Sequence, residues 1–199
     1  MNQTKGSKRL NLDVQAGIRG FPSREAYRAI KMIVLDVDGV LTDARIVIDS
    51  TGVETKFFDV RDGASITFLL KAEFKVGMLT GRSSPVVDFR AKELHIPPEM
   101  VRQGAIVKLP VFMKLLSENG LTPAETLYIG DDLIDLPVLE VAGLACCPAD
   151  AHPEVKKLCH VISPNPGGRG GVRAIIEHFL KTREDGSWEK AINRYLGKA

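Results

Sequence analysis

The sequence predicts an α/β fold, a parallel sheet with helices on both faces. Two observations carry this. Short apolar runs of strand length recur at 33–35, 76–79, 126–129 and 143–146, and more weakly at 160–162. Patterns of helical length separate them, at 64–72, 85–94, 108–119 and 133–141. Strands that alternate with helices must cross over between neighbours, so the sheet is parallel and wrapped on both sides. The size fits one such domain. A chain of 199 residues with 44% hydrophobic and 26% charged residues is long enough to bury a core without disulfide or metal staples.

Residues 1–30 are polar and interrupted by Gly6, Gly17, Gly20 and Pro22, so they read as an arm. A short helix over 23–30 would close it, with Ser23 as cap. The domain runs over 31–182 and a tail over 183–199. One stretch departs from the alternation. Residues 46–59 read IVIDSTGVETKFFD, two extended runs around Asp49-Ser50-Thr51-Gly52, with Val53, Thr55 and Phe57 alternating with Glu54 and Lys56. That is a β-hairpin pattern. It comes after the first strand's C-terminal loop, and ligands of open α/β sheets bind at the carboxyl ends of strands. The hairpin is therefore a flap over the site, an oligomer contact or a plain surface element.

In the helix over 108–119, Leu109, Met113 and Leu116 share a face, and Pro110 fits only a first turn. The glycine-rich 166–171 lacks the P-loop spacing and its terminal Lys-Ser/Thr, and reads as a flexible turn before a helix over 172–181. In the tail, Trp188, Ala191, Ile192 and Leu196 fall at helical spacing.

Net charge is +2, from 27 basic and 25 acidic residues, and aromatics make up 6%. A nucleic-acid partner would need clustered basic and aromatic residues, and none is expected. No apolar run reaches the roughly 20 residues of a membrane span. The first thirty residues hold no apolar secretory core, so a cytoplasmic location is expected. Cys146, Cys147 and Cys159 read as buried free thiols, and the four histidines form no metal-ligand pair.

The informative residues lie just past the end of each strand. The first strand runs into Asp36-Val37-Asp38-Gly39-Val40-Leu41-Thr42, the next into Thr80-Gly81-Arg82, and a third into Gly130-Asp131-Asp132-Leu133-Ile134-Asp135. A lone pair of aspartates is an ordinary turn signal. Three polar clusters, each at the end of a buried strand, need another reason. Asp36, Asp131 and Asp135 would converge as a carboxylate pocket, the oxygen environment that Mg²⁺ prefers and Mn²⁺ also accepts. Lys108 opens a helix, so its ammonium and the helix N-terminus both suit an anion. Carboxylates, a divalent cation, a lysine and a hydroxyl together describe a phosphoryl-transfer site.

LDVDGVLT, LTGR, Lys108 and GDDLID, in that order, resemble the four motifs of haloacid dehalogenase superfamily phosphatases. The resemblance covers about 31–180. It implies a three-layer Rossmann-like parallel sheet of haloacid dehalogenase type, capless, with a β-hairpin flap after the first strand. The hairpin, FFDVRDG at 57–63, ADAHP at 149–153 and GGRGGVR at 167–173 are similar to the 3-deoxy-D-manno-octulosonate 8-phosphate phosphatases. These are capless homotetramers acting on a sugar phosphate in lipopolysaccharide synthesis.

The resemblance implies roles. Asp36 is the nucleophile that becomes an aspartyl-phosphate, and Asp38 the acid and base. Asp36, the Asp38 carbonyl and Asp131 hold Mg²⁺. Thr80 and Lys108 bind the phosphoryl oxygens. Asp135 orients Lys108 or a metal-bound water. Asp132 either supports the site or caps the next helix. Asp59, Val60, Arg61, Asp62 and Gly63 form a loop over the phosphate, and Arg82 and Arg90 contact the sugar acid, with Asp38 and Lys108 also touching substrate. Four positions, in three departures, differ from the family pattern. Asp59 replaces an asparagine, Ala64-Ser65 an aromatic residue and glycine, and Thr67 a basic residue. One cation is lost at the mouth and one carboxylate gained. Two rivals stand beside this substrate: a nine-carbon ulosonic acid 9-phosphate, and a non-catalytic oligomerisation module of the kind attached to sugar nucleotidyltransferases. A degenerate module would have lost Asp36, Asp38, Lys108 or Asp131, and all four are present.

Overall fold

A parallel strand covered on both faces needs apolar residues at every position, and the central strands have them. The computed structural model describes residues 12–198. Residues 1–11 of the expected arm, and Ala199 of the tail, lie outside the described residues. The first half contains β1 (Gln15–Ala16), α1 (Arg24–Ala29), β2 (Met32–Leu35), β3 (Val47–Ile48), β4 (Glu54–Thr55), α2 (Val60–Lys71), β5 (Lys75–Leu79) and α3 (Pro85–Glu93). The second contains β6 (Val101–Arg102), α4 (Lys108–Glu118), β7 (Thr126–Ile129), α5 (Leu136–Val141), β8 (Leu144–Cys147), α6 (Pro153–Leu158), β9 (Val161–Ile162), α7 (Gly171–Thr182) and α8 (Ser187–Tyr195). Every residue of β2, β7 and β8 is buried.

The sheet has the order β1-β9-β8-β7-β2-β5-β6. All pairings are parallel except that of β1, which lies antiparallel on the β9 edge. Two helical groups cover it, α2 with α7 and α8, and α4 with α5 and α6. From β2 the chain moves outward through β5 and β6, then returns to β7 on the other side and continues to β9. Beside β2 the winding reverses, and the crevice at that switch point is where such sheets hold ligands.

The described part of the expected arm, residues 12–30, packs on the domain. Beyond β1, Ser23 caps α1 by accepting from Ala26 N, and Tyr27 and Ile30 are buried. The tail helix α8 sets Trp188 and Tyr195 edge-on to Phe68 of α2, at 6.1 and 4.9 Å between ring centroids. The three cysteines are free and buried.

Several elements differ from expectation for local reasons. The segment 59–63, expected as a loop, is the cap and first turn of α2: Asp59 accepts from Arg61 N and starts the helix at Val60, not residue 64. The helix expected over 133–141 splits into a 3₁₀ turn, Leu133–Asp135, and α5, because Pro137 supplies no N–H and fits only a first turn. In α4 the buried face is Lys108, Phe112, Leu115 and Leu116, while Met113 is exposed. The glycine-rich 166–171 is packed rather than flexible. A side chain at Gly167 would overlap the Gly39 carbonyl oxygen, and Gly168 N donates to Val40 O at 3.0 Å. Strands β1 and β6 and helix α6 were not expected; at two residues each, the strands carry no periodicity to read.

The hairpin is present, with Val47 paired to Thr55 and Ile48 to Glu54. Its faces are inverted. Ile46, Val47, Ile48, Val53 and Phe57 are exposed, whereas the Lys56 side chain is fully buried.

Candidate active site

The register sets the site. Leu35 lies opposite Met78 on one side and Ile129 on the other, so β2, β5 and β7 end together. Just beyond these ends stand Asp36 after β2, Thr80 after β5 and Asp131 after β7. Thr80 is buried, its backbone fixed by Thr80 N to Arg102 O at 2.9 Å and Ala105 N to Thr80 O at 3.0 Å. Asp36, Asp131 and Asp135 offer carboxylate oxygens that all lie within 4.8 Å of one another. Gly39, at φ +94°, makes this approach possible, because a side chain there would overlap the Asp131 carboxylate.

Three carboxylates this close repel one another, and Lys108 offsets them from the opposite side. Its Nζ is 2.6 Å from Asp135 Oδ1 and 2.9 Å from Asp36 Oδ1. The Asp36 contact is an ion pair poorly directed for a hydrogen bond, whereas Asp135 receives one. Asp135 is saturated. Its Oδ1 also accepts from Tyr128 OH at 2.6 Å, and its Oδ2 from Asp131 N and Asp132 N at 3.0 and 3.2 Å. Asp135 thus orients Lys108 and the Asp131 loop, leaving Asp36 and Asp131 with spare capacity. Asp132 takes the capping role, accepting from Leu133 N at 2.8 Å.

Burial, together with the negative neighbours, raises Asp36 to about 7, with Lys108 opposing the rise. Burial, Asp36 and Asp135 raise Asp131 to about 8. Burial alone would lower Lys108, but Asp36 and Asp135 outweigh it and the net shift is upward. Asp36 Oδ1 and Asp131 Oδ1 are buried without a hydrogen-bond partner among the described residues. Hard oxygen donors, buried, close together and unsatisfied, fit a small divalent cation.

Asp38 faces a different cation. Lys56 Nζ donates to its Oδ1 at 2.5 Å, while its Oδ2 is buried without a partner among the described residues. Lys56 also lies 3.2 Å from Glu54 Oε1, and Arg82 Nη2 stands 3.3 Å from the same oxygen. Sequence reasoning missed Lys56, Glu54 and Tyr128. Lys56 had a signal, since the same alternation that marks a hairpin also allows its charged face to point inward.

The other expected substrate residues are dispersed around this centre. Asp59 pairs with the Arg61 guanidinium, and Val60 is exposed. Asp62 is buried, its oxygens taken by Gly170 N at 3.0 Å and Arg173 N at 2.8 Å, which ties α2 to the start of α7. Burial raises Asp62 to about 6 against the pull of those two donors. Gly63 lies buried in the first turn of α2. Arg90 on α3 stands 5.3 Å over the Phe58 ring and pairs with Glu93 at 2.7 Å. Beside the α2 N-terminus opens a cavity of about 310 Å³ lined by Arg45, Arg61 and Arg169 with Asp43, Asp59 and Phe57 among others. It is not lined by Asp36, Asp131 or Lys108.

Comparison with known proteins places the chain in a family. The profile of haloacid dehalogenase-like hydrolases matches residues 106–176, which include Lys108, Asp131 and Asp135. The chain is 40% identical over 151 residues to the Escherichia coli 3-deoxy-D-manno-octulosonate 8-phosphate phosphatase KdsC, covering 76% of this chain and 79% of that one. Among solved structures it resembles the Moraxella catarrhalis 3-deoxy-D-manno-octulosonate 8-phosphate phosphatase in complex with magnesium, phosphate and KDO, at a TM-score of 0.81 and 34% identity, covering 86% of this chain and 97% of that one. The Yersinia pestis enzyme of the same name gives a TM-score of 0.79 at 36% identity, covering 83% and 88%. Sheet order, the carboxylate cluster and these likenesses converge: the chain belongs to the 3-deoxy-D-manno-octulosonate 8-phosphate phosphatase family of the haloacid dehalogenase-like hydrolases.

Proposed function

We propose that this protein hydrolyses 3-deoxy-D-manno-octulosonate 8-phosphate to the free sugar acid and phosphate, using Mg²⁺ and an aspartyl-phosphate intermediate. The observation that carries this reading is the buried Asp36–Lys108–Asp131 cluster at the switch point, with carboxylate oxygens left unsatisfied. Asp36, the Asp38 carbonyl and Asp131 would hold the cation. Bound there, Mg²⁺ offsets the repulsion between an anionic nucleophile and a phosphate dianion.

An ionised Asp36 attacks phosphorus, and the bond from phosphorus to the sugar oxygen breaks. Asp38 gives its proton to that oxygen, so the sugar leaves as an alcohol rather than an alkoxide. In the second half a water attacks phosphorus, Asp38 takes its proton, and the acyl-phosphate bond breaks to restore Asp36. Lys108 and Thr80 bind the phosphoryl oxygens, with the Lys108 ammonium held in line by Asp135. Asp36 and Asp135 together favour the charged form of Lys108.

For the sugar acid, the arginines beside the α2 N-terminus offer the bidentate donors that a carboxylate requires. Arg82 and Arg90, which now pair with Glu54 and Glu93, would contact the sugar acid beside them, with Asp59, Val60, Arg61, Asp62 and Gly63 shaping the entrance. Residues 31–182 act as the phosphatase domain, with 12–30 and 183–198 as segments packed on it. The exposed apolar side of the hairpin suits contact with other copies in a homotetramer. Balanced charge argues against nucleic acid, and among the described residues no helix is long and apolar enough to cross a membrane.

Phosphate release with Mg²⁺ from a panel of eight- and nine-carbon ulosonic acid phosphates and simple sugar phosphates tests the substrate. Preference for the eight-carbon acid, abolished in Asp36→Asn, is the expected result. Preference for a nine-carbon acid would move the substrate and keep the chemistry. No turnover of any ester would favour the non-catalytic reading.

A further inference from the structure

The hairpin exposes Val53 and Phe57 and buries Lys56, the reverse of what local hydrophobicity favours. A local rule broken in this way is expected where a function requires it. The lysine does not join the carboxylate cluster. Lys108 serves Asp36 and Asp135, and Lys56 serves Asp38 and Glu54. The two lysines therefore divide the acidic groups between them.

The contact to Asp38 is specific to one oxygen. Lys56 Nζ lies 2.5 Å from Oδ1, which holds that oxygen and leaves Oδ2 as the one without a partner among the described residues. A group that must protonate a leaving oxygen and then accept a proton from water needs one free, fixed oxygen. The far side of the link is anchored as well. Glu54, two residues before Lys56 on the same hairpin, lies 3.3 Å from Arg82, just past the end of β5. The chain Asp38–Lys56–Glu54–Arg82 thus connects the loop after β2, the hairpin and the loop after β5.

We propose that Lys56 is a positioning residue for Asp38: it holds Oδ1 so that Oδ2 meets the leaving oxygen, and it makes the docked hairpin a requirement for the acid–base half of the reaction. This inference rests on the reading of Asp38 as acid and base, and the test separates the two.

The full chain with Mg²⁺ is compared with Lys56→Met, Lys56→Arg, Asp38→Asn and the Lys56→Met/Asp38→Asn double variant. Each is given a sugar phosphate and p-nitrophenyl phosphate. The alkoxide of a sugar leaves poorly without a proton, whereas p-nitrophenolate leaves well without one. Misplacing a proton donor lowers turnover on the order of 10²-fold. Lys56→Met is therefore expected to lower kcat on the sugar phosphate about 10²-fold, with KM within about 3-fold of the original. The p-nitrophenol burst should keep its rate and amplitude, giving way to a slow steady state because Asp38 also activates water. Lys56→Arg should restore part of the loss, and the double variant should be no worse than Asp38→Asn alone. Burst amplitude counts intact sites, so a folding defect lowers the amplitude without imitating the split between substrates.

If Asp38→Asn itself leaves sugar phosphate turnover intact, the acid–base reading fails. If Asp38→Asn shows the split and Lys56→Met does not, or if their losses add, the positioning inference is overturned.

Discussion

Replacing Lys108 by methionine removes one charge from a site where nothing else can take its place. The ammonium is fully buried, 2.6 Å from Asp135 and 2.9 Å from Asp36. Breaking a buried ion pair by deleting one partner costs about 3–5 kcal/mol, because the other charge is left buried and unpaired. Here the carboxyls have an escape, which is to hold a proton. Asp36 and Asp131 are already raised to about 7 and 8, and Lys108 is the cation that opposes both shifts. Without it they rise further.

Linkage sets the sign. A carboxyl raised above its unfolded value keeps its proton in the folded state over pH values where the unfolded chain has released it. Stability therefore falls as pH rises from near 4 through the folded pKa, and levels off above it. The Lys108→Met variant should melt close to the original protein near pH 4.5 and diverge toward pH 8. For a domain of this size, 1 kcal/mol corresponds to about 2–4 °C, so the gap at pH 8 should reach about 6–20 °C. Thermal melts in chelator, which removes any bound cation, would show it. A gap that stays within 1–2 °C at pH 8, or that is the same at both pH values, would refute the idea that Lys108 neutralises this cluster.

Magnesium should raise the melting temperature more at pH 8 than at pH 5.5, because Asp36 and Asp131 must shed protons to ligate a cation; equal rises would argue that these carboxyls are not the ligands. Asp59→Asn keeps a side chain able to cap α2 but releases Arg61 from its carboxylate partner, and should lower KM for a sugar-acid phosphate by up to about 5-fold, most clearly at low salt. An unchanged KM would place Arg61 outside substrate recognition. Gly167→Ala should destabilise the fold and slow turnover together, since its Cβ would overlap the carbonyl of Gly39 in the loop that carries Asp36 and Asp38; a thermal melt and a rate on the same sample decide it.

The motifs were legible because each combined two signals, an apolar run and a polar cluster where that run ends. LDVDG, LTGR and GDD are marked by the chemistry itself, and the parallel register then brings them together. Elements without a periodic pattern were not legible. Strand β6 is two residues long, and its role is to pair with Leu79 and hold Thr80 through Arg102. In α4 the spacing of Leu109, Met113 and Leu116 is as helical as that of Lys108, Phe112 and Leu115, and a lysine on the buried face is not what hydrophobicity favours. The same reasoning hid Lys56. Its pairing with Asp38 spans 18 residues and becomes visible only once folding brings the hairpin against the loop after β2. Asp62 shows the reverse case. Its motif drew attention to the substrate, while the folded chain commits its carboxylate to the backbone at the start of α7.

The central claim, that Asp36 becomes phosphorylated during turnover, can be tested directly. The protein with Mg²⁺ and substrate is quenched in acid during the first turnover, digested, and its peptides weighed. The account predicts one phosphoryl group on the peptide carrying Asp36, removed by hydroxylamine as an acyl phosphate is, and absent from Asp36→Asn. Steady hydrolysis with no phosphorylated peptide, and retained turnover in Asp36→Asn, would contradict it.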